Sequence, residues 1–264
     1  MGIHIAVCIK RTPSSTSVAI DESGQIQTAG LPHGINPFDE YAIEEALRIK
    51  EKLEGSKVTI ISAGAPESED VVKAALALGA DEGVVVTDPA FDGSDTMVTS
   101  LILSKTVEKL GDVKLILFGK QTNDGESGHM TALVGARLGR PSISAVRKVT
   151  DIDADSITVQ RLMDDGADTL KLNLPAVVGV TKEINEPRLP SLKGKMRAKK
   201  AAIPKWGAGD IGVDAAVVGK DASPTGVVKM EPVPARTAGT AITGETPEEL
   251  AKNLVEKLKE TKFI

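Results

Sequence analysis

Aromatic residues are scarce in this chain: one tryptophan, one tyrosine and four phenylalanines, 2% of the whole. Stacking of bases on aromatic platforms is therefore excluded as a main device, and a net charge of −5 argues against a nucleic-acid partner. Cysteine is nearly absent as well. Cys8 stands alone and His4, His33 and His129 are the only histidines, so no intrachain disulfide and no clustered Cys/His metal site can form. Such usage suits a reducing cytoplasm. A lone thiol without a resolving cysteine reads as a small core residue rather than a redox group. No apolar run approaches membrane-spanning length, and the opening MGIHIAVCIKR reads as a first core strand rather than a signal peptide.

What is present is aliphatic. Hydrophobic residues make up 41% of 264, ample for a buried core, and Val, Ile, Leu and Ala must fill it. The length fits one large α/β unit, or a core domain plus an appendage. Short apolar runs alternate with helical patterns over the first two thirds, the signature of βαβ units on a parallel sheet. Strands are expected at 3–9, 58–62, 83–87 and 113–118. Helices are expected from Asn36-Pro37, after Ala65-Pro66, from Asp95 to Leu110, and up to Leu138, with Gly79 and then Gly139 and Pro141 as stops. Strand-like runs at 143–149, 157–160, 169–172 and 176–180 follow without long helices between them. Asp164-Asp165-Gly166 is a turn signal inside this stretch, and Arg161 with the two aspartates reads as a charged hairpin, with direct contact to a cofactor as the alternative. From Glu186 the chain turns basic and proline-bearing, EPRLPSLKGKMRAKKAAIPK, which reads as an arm or linker rather than core. The expected division is an α/β domain over 1–185 and an arm, linker and docking helix over 186–264. Thr246, Pro247 and Glu249 form a capping box ahead of a helix striped by Leu250, Leu254 and Leu258.

Loops after parallel strands converge where ligands bind. Three such loops here are built of small residues: Cys8–Ser15, Ala63–Pro66 and Gly119–Gly128. In GKQTNDGESGHMTALVGARLGRP, Gly119, Gly125 and Gly128 lie between a strand and a helix. Glycine admits a ligand close to the backbone, and a helix start offers free N–H groups and a favourable dipole to a phosphate. An anion site, with a nucleotide as the ligand, is one reading. Tight βα connections shaped by glycine are the other. Neither the dinucleotide G-x-G-x-x-G pattern nor the P-loop pattern occurs, and Asp124 and Glu126 suit sugar hydroxyls or helix capping better than phosphate. His129 reads as a helix-surface histidine that could titrate near a phosphate.

VCIKR, INPFDEYAIEEALRIKE, ALALGAD, LFGKQTNDG, LPAVVGV, NEPRLPSLKGKMRAKK, GDIGVD and RTAG occur in that order along the chain. End to end the sequence resembles the beta subunit of an electron transfer flavoprotein, most specifically over 180–203. The resemblance implies a doubly wound, mostly parallel α/β fold of the adenine-nucleotide-binding, Rossmann-like kind with a C-terminal arm and helix. It implies an alpha-subunit partner that carries one FAD near the interface. In the beta subunit it implies AMP or, in electron-bifurcating members, a second FAD. Electrons would pass between flavin dehydrogenases, such as the acyl-CoA dehydrogenases of fatty acid oxidation, and a quinone reductase, ferredoxin or NADH. The chain would then be an electron-transfer subunit, not a stand-alone catalyst, with neither a metal nor direct membrane insertion.

Carried over by position, the resemblance implies a nucleotide pocket made from Cys8, from Asn36, Pro37, Phe38 and Asp39 at the first helix start, and from Ala63. Its cradle would be Gly119, Lys120, Gln121, Thr122, Asn123, Asp124, Gly125, Glu126, Ser127, Gly128, His129 and Met130, with Phe38 toward the alpha-subunit flavin. AMP-type members place polar donors around the positions of Gly128–Met130, and Met130 has no donor to offer. Asp124-Gly125-Glu126-Ser127 is nearer to the bifurcating pattern, which favours FAD with AMP as the alternative. In the basic segment, Pro187, Arg188, Leu189, Pro190, Ser191, Leu192, Lys193, Lys195, Arg197 and Lys200 would form a recognition arm for dehydrogenases, with Leu192 as its apolar anchor. A solvated charged face is the plain reading of the same lysines. Two other classes share the fold. A stand-alone ATP-binding stress-type module lacks a reason for the arm and terminal helix, and an ATP pyrophosphatase needs S-G-G-x-D-S where KRTPSST stands.

Overall fold

The computed structural model describes residues 2–15, 19–21, 26–27, 30–231 and 238–264. Arg236 and Thr237 of the RTAG motif and Thr16 of KRTPSST lie outside them. Contacts group the chain into two units, Met1–Ala19 with Ile26–Val228, and Ile20–Gln25 with Lys229–Ile264.

Among the described residues, the first unit is built on a nine-stranded sheet: β1 (His4–Ile9), β2 (Lys57–Ala63), β3 (Glu82–Val86), β4 (Val113–Gly119), β5 (Ser142–Ile152), β6 (Ser156–Met163), β7 (Gly166–Asn173), β8 (Ala176–Val180) and β9 (Lys205–Trp206). They lie in the order β7-β6-β5-β8-β4-β1-β2-β3-β9. Every neighbouring pair is parallel except the two that involve β6. The helices are α1 (Pro37–Lys52), α2 (Glu69–Leu78), α3 (Thr96–Leu110), α4 (Met130–Leu138) and α5 (Leu192–Lys200).

Alternation along the strands sorts the helices onto two faces, because successive side chains in a strand point to opposite sides. Ile5, Val7 and Ile9 of β1 join Ile43, Leu47, Val72 and Leu76 of α1 and α2 in one buried cluster. Ala6 and Cys8 join Val98, Ile102, Val107 and Val134 of α3 and α4 in the other. The sheet is thus wound on both sides, as the βαβ alternation predicts. Central strands β1, β4 and β8 are buried nearly throughout, which is why their sequences read as unbroken apolar runs.

Gly79 and Gly139 close α2 and α4. Asp164 and Asp165 turn β6 into β7, and Arg161 pairs with Asp168 across that hairpin at 2.8 Å. Beyond residue 185 the structure departs from the arm expected there. Leu192–Lys200 forms α5, capped by the Ser191 hydroxyl and packed on α2. Lys205-Trp206 extends the sheet, and Ile211, Val213 and Val218 enter the α3/α4 core. The compact unit therefore continues to Val228, whereas the sequence pattern places a boundary after 185. Few apolar residues separated by lysines gave this stretch no visible stripe. In the second unit, α6 (Pro247–Glu260) starts where the capping box predicts. Thr246 accepts the Glu249 N–H, while the Glu249 carboxylate takes the N–H of Glu245 rather than that of Thr246.

Candidate functional site

Strand order reverses beside β1. The chain runs through β2 and β3 on one side, then returns to place β4 on the other. A crevice forms beyond the strand ends at such a point, because the loops leave in opposite directions. Here Cys8 of β1 lies opposite Phe118 of β4, and a cavity of ≈ 480 Å³ opens at these ends. Small-molecule sites span roughly 300–1,000 Å³. Cys8, Ala63, Ile102, Leu103 and Phe118 line it with apolar surface. Burial pushes the Cys8 thiol up from its ordinary value, so it stays a neutral, inert lining group.

The loop between β4 and α4 is held from below. A β-carbon on Gly119 would stand 2.5 Å from the Phe38 carbonyl carbon and 2.6 Å from an Asp39 carboxylate oxygen, so only glycine lets this strand end meet the start of α1. Asn36 is fully buried at the position before α1, yet its side chain does not cap that helix. Its Nδ2 donates to the Gln121 carbonyl at 2.8 Å and its Oδ1 accepts the Asn123 N–H at 3.1 Å. Lys10 Nζ meets Asp124 at 2.6 Å, Asn123 Nδ2 donates to Pro13 O at 3.3 Å, and His129 Nε2 pairs with Thr96 Oγ1 at 2.8 Å. These bonds fix the loop against β1, α1 and α3.

Carboxylates near the cleft are largely engaged by protein donors. Asp88 accepts the N–H groups of Ala90 and Ala208, which hold it below its ordinary range. Asp95 caps α3 through the Val98 N–H and also accepts from Thr225. Burial pushes Asp124 up, but its bonds to Lys10 and Thr122 outweigh that and hold it low. Asp39 behaves differently. Complete burial pushes its carboxyl up to about 7, against the Lys10 and Gly119 N–H groups and Asn36, which pull it down.

Two helix starts open onto the cleft, and they are not equivalent. Asp95 already occupies the start of α3 with a negative charge. At α4 no side chain makes a capping bond, and the residue before the helix is His129. An uncapped helix start preceded by Gly125 and Gly128 offers N–H groups and a favourable dipole to an anion.

Of the residues the resemblance assigns to the pocket, Cys8, Asp39, Ala63, Gly119, Lys120, Gln121, Thr122, Gly125, Ser127, Gly128 and Met130 line the cavity. Asn36, Asn123, Asp124 and His129 instead hold the loop, while Pro37, Phe38 and Glu126 are outside the lining. Sequence reasoning missed one entire wall, the loop after β3. Asp88, Phe91, Asp92, Gly93, Ser94, Asp95, Thr96 and Thr99 line the cleft there, and Lys10, Gly64 and Ala65 join from the other loops. The signal was available, because TDPAFDGSD has the same small and polar character after a strand. Segment 219–225 buttresses this wall: Lys220 N–H donates to Asp92 O, Gly219 N–H to Ser94 Oγ, and Asp95 N–H to Ser223 Oγ. Among the described residues no cluster of His, Cys, Asp or Glu could hold a metal ion, and no helix is long and apolar enough to cross a membrane.

A doubly wound sheet with a built cleft at its reversal point defines a class of α/β protein that binds its ligands at the strand ends. Within that class the chain belongs to the electron transfer flavoprotein family, whose domain model matches residues 23–211. An electron transfer flavoprotein subunit beta of Thermoanaerobacterium thermosaccharolyticum is 38% identical over 99% of this chain and 100% of its own length. The caffeyl-CoA reductase-Etf complex subunit CarD of Acetobacterium woodii is 36% identical over 99% and 100%. Protein FixA of Sinorhizobium fredii is 34% identical over 97% and 92%.

Proposed function

We propose that this chain works as the beta subunit of a two-subunit electron transfer flavoprotein and that its cleft holds a FAD, the second of the complex. The observation that supports a nucleotide there is the contrast between the two helix starts. Asp95 would repel a phosphate at α3, whereas α4 presents an uncapped start behind a loop held by Asn36 and Lys10. The lining suits an adenine nucleotide: apolar surface from Phe118, Ile102 and Leu103, and hydroxyls from Ser94, Thr96, Thr99, Thr122 and Ser127. Met130, the first residue of α4, lines the cleft without a donor for a terminal phosphate. That choice favours a diphosphate nucleotide that continues past this point over AMP.

In this reading FAD supplies the redox chemistry and the protein supplies orientation and electrostatics. Amides at the start of α4 would hold the diphosphate, Thr122 and Ser127 would offer it hydroxyls, and Phe118 with Met130 would exclude water. The alpha subunit carries the other FAD, with Phe38 near it. Electrons arrive from flavin dehydrogenases such as acyl-CoA dehydrogenases, and leave to a quinone reductase or, in the bifurcating mode, to ferredoxin and NADH. The name of the Acetobacterium relative puts that protein in a complex with a caffeyl-CoA reductase, which supports a partner that acts on a CoA thioester.

Co-expression with its alpha subunit tests this reading. The complex is expected to copurify with flavin absorption that bleaches on adding an acyl-CoA dehydrogenase and its substrate. A colourless homodimer that binds ATP would contradict it.

A further inference from the structure

The basic segment carries exposed apolar side chains: Leu189 is 91% exposed, Leu192 76% and Met196 58%. Two arginines of the same segment, however, do not face solvent as free charges. Arg188 Nε and Nη2 meet the two Glu44 oxygens at 2.7 and 3.1 Å, and Nη1 and Nη2 meet Glu51 at 2.6 and 3.3 Å. All three guanidinium nitrogens are engaged, in the forked geometry only arginine can supply. Glu44 is nearly buried on α1, and its bonds to Arg188 and Arg48 outweigh burial to hold it ionised. Just upstream, Asn185 donates to Tyr41 O and Glu45 Oε2.

At the far end of the segment, Arg197 Nη2 donates to the carbonyls of Leu76 and Ala80, at 2.8 and 2.7 Å. These lie in the last turn of α2 and just beyond it, where a cation is favoured. The helix between is seated backbone to backbone. A β-carbon on Gly194 would stand 2.2 Å from the Ala77 carbonyl oxygen.

We infer that Arg188 and Arg197 are positioning residues, an internal clamp that fixes segment 189–196 as a preformed ridge for docking an electron-transfer partner. The ridge takes a partner whose apolar socket is rimmed by carboxylates, because Leu192 and Met196, one helical turn apart, are flanked by exposed Lys193, Lys195 and Lys200. Preforming the ridge removes the ordering cost that a flexible arm would incur on binding. The partner's identity as a flavin dehydrogenase rests on the proposed function, whereas the clamp stands on the geometry alone.

The test uses the intact two-subunit complex with Arg188→Gln, Arg197→Gln and Leu192→Ala, an acyl-CoA dehydrogenase with its substrate, and amide hydrogen exchange. Each arginine variant is expected to speed exchange over 189–196 by about tenfold or more. Each should also raise the KM for the carrier by about tenfold, with kcat and bound nucleotide kept. Leu192→Ala should raise KM with exchange unchanged. An arginine variant that raises KM without faster exchange would make that arginine a direct partner contact and overturn the clamp, as would unchanged exchange in both. If one arginine variant fails to assemble, the other carries the same comparison. A wild-type complex that accepts no electrons defeats the proposed function, while its exchange pattern still decides the clamp.

Discussion

At Asp39, desolvation raises a carboxyl that three hydrogen-bonding neighbours pull down, and burial wins, leaving it at about 7 against 3.8 for a free group. The folded state therefore binds a proton that the unfolded chain has released between about pH 4 and 7. Stability from this group is full below the unfolded value and is lost as pH rises through 7. The loss is on the order of 4 kcal/mol at most. Replacing Asp39 with Asn should flatten that part of the pH dependence, as urea denaturation at pH 5 and pH 8 would show. An equal loss of stability between the two pH values in both proteins would contradict the assignment. The family resemblance implied Asp39 as a pocket residue, at the start of the first helix. It could not show the burial, because that follows from Gly119 bringing β4 against the start of α1.

The loop from β4 to α4 depends on a residue of another element. Asn36 precedes α1 in a position that normally caps a helix, and the structure diverts its amide to Gln121 and Asn123. Asn36→Ala would leave a carbonyl and an N–H unpartnered, at a cost of about 1–3 kcal/mol. It should also weaken retention of the nucleotide by roughly tenfold through a loosened cradle. Desalting the complex and following the nucleotide that stays bound measures this, and undiminished retention would remove the role. Elements with strong signals were legible here: β1, β4 and β8 as apolar runs, α1 from Asn36-Pro37 and its apolar face, and α6 from its capping box and proline. Elements built from weak signals were not. The α5 helix has apolar Leu192, Met196 and Ala198 among five cations, so its stripe is invisible although Ser191 marks its start. The loop after β3 carries Asp88, Asp92 and Asp95, charges that by themselves do not suit a phosphate. Only the bonds from Ala90, Ala208, Val98 and Thr225 show that two of these carboxylates build the wall.

For the whole molecule, family membership and fold were both readable from dispersed motifs, because a doubly wound sheet imposes its alternation along most of the chain. The ligand is a matter of one cleft, and of whether its occupant ends at α4 or continues beyond it. A nucleotide bound only by the folded state also stabilises the complex, so stripping it should lower the denaturation midpoint along with the flavin absorbance. The most direct measurement is to denature the purified two-subunit complex and count the released nucleotides by chromatography. Two FAD per complex is the predicted result, one held by each subunit, and one FAD with one AMP would contradict it.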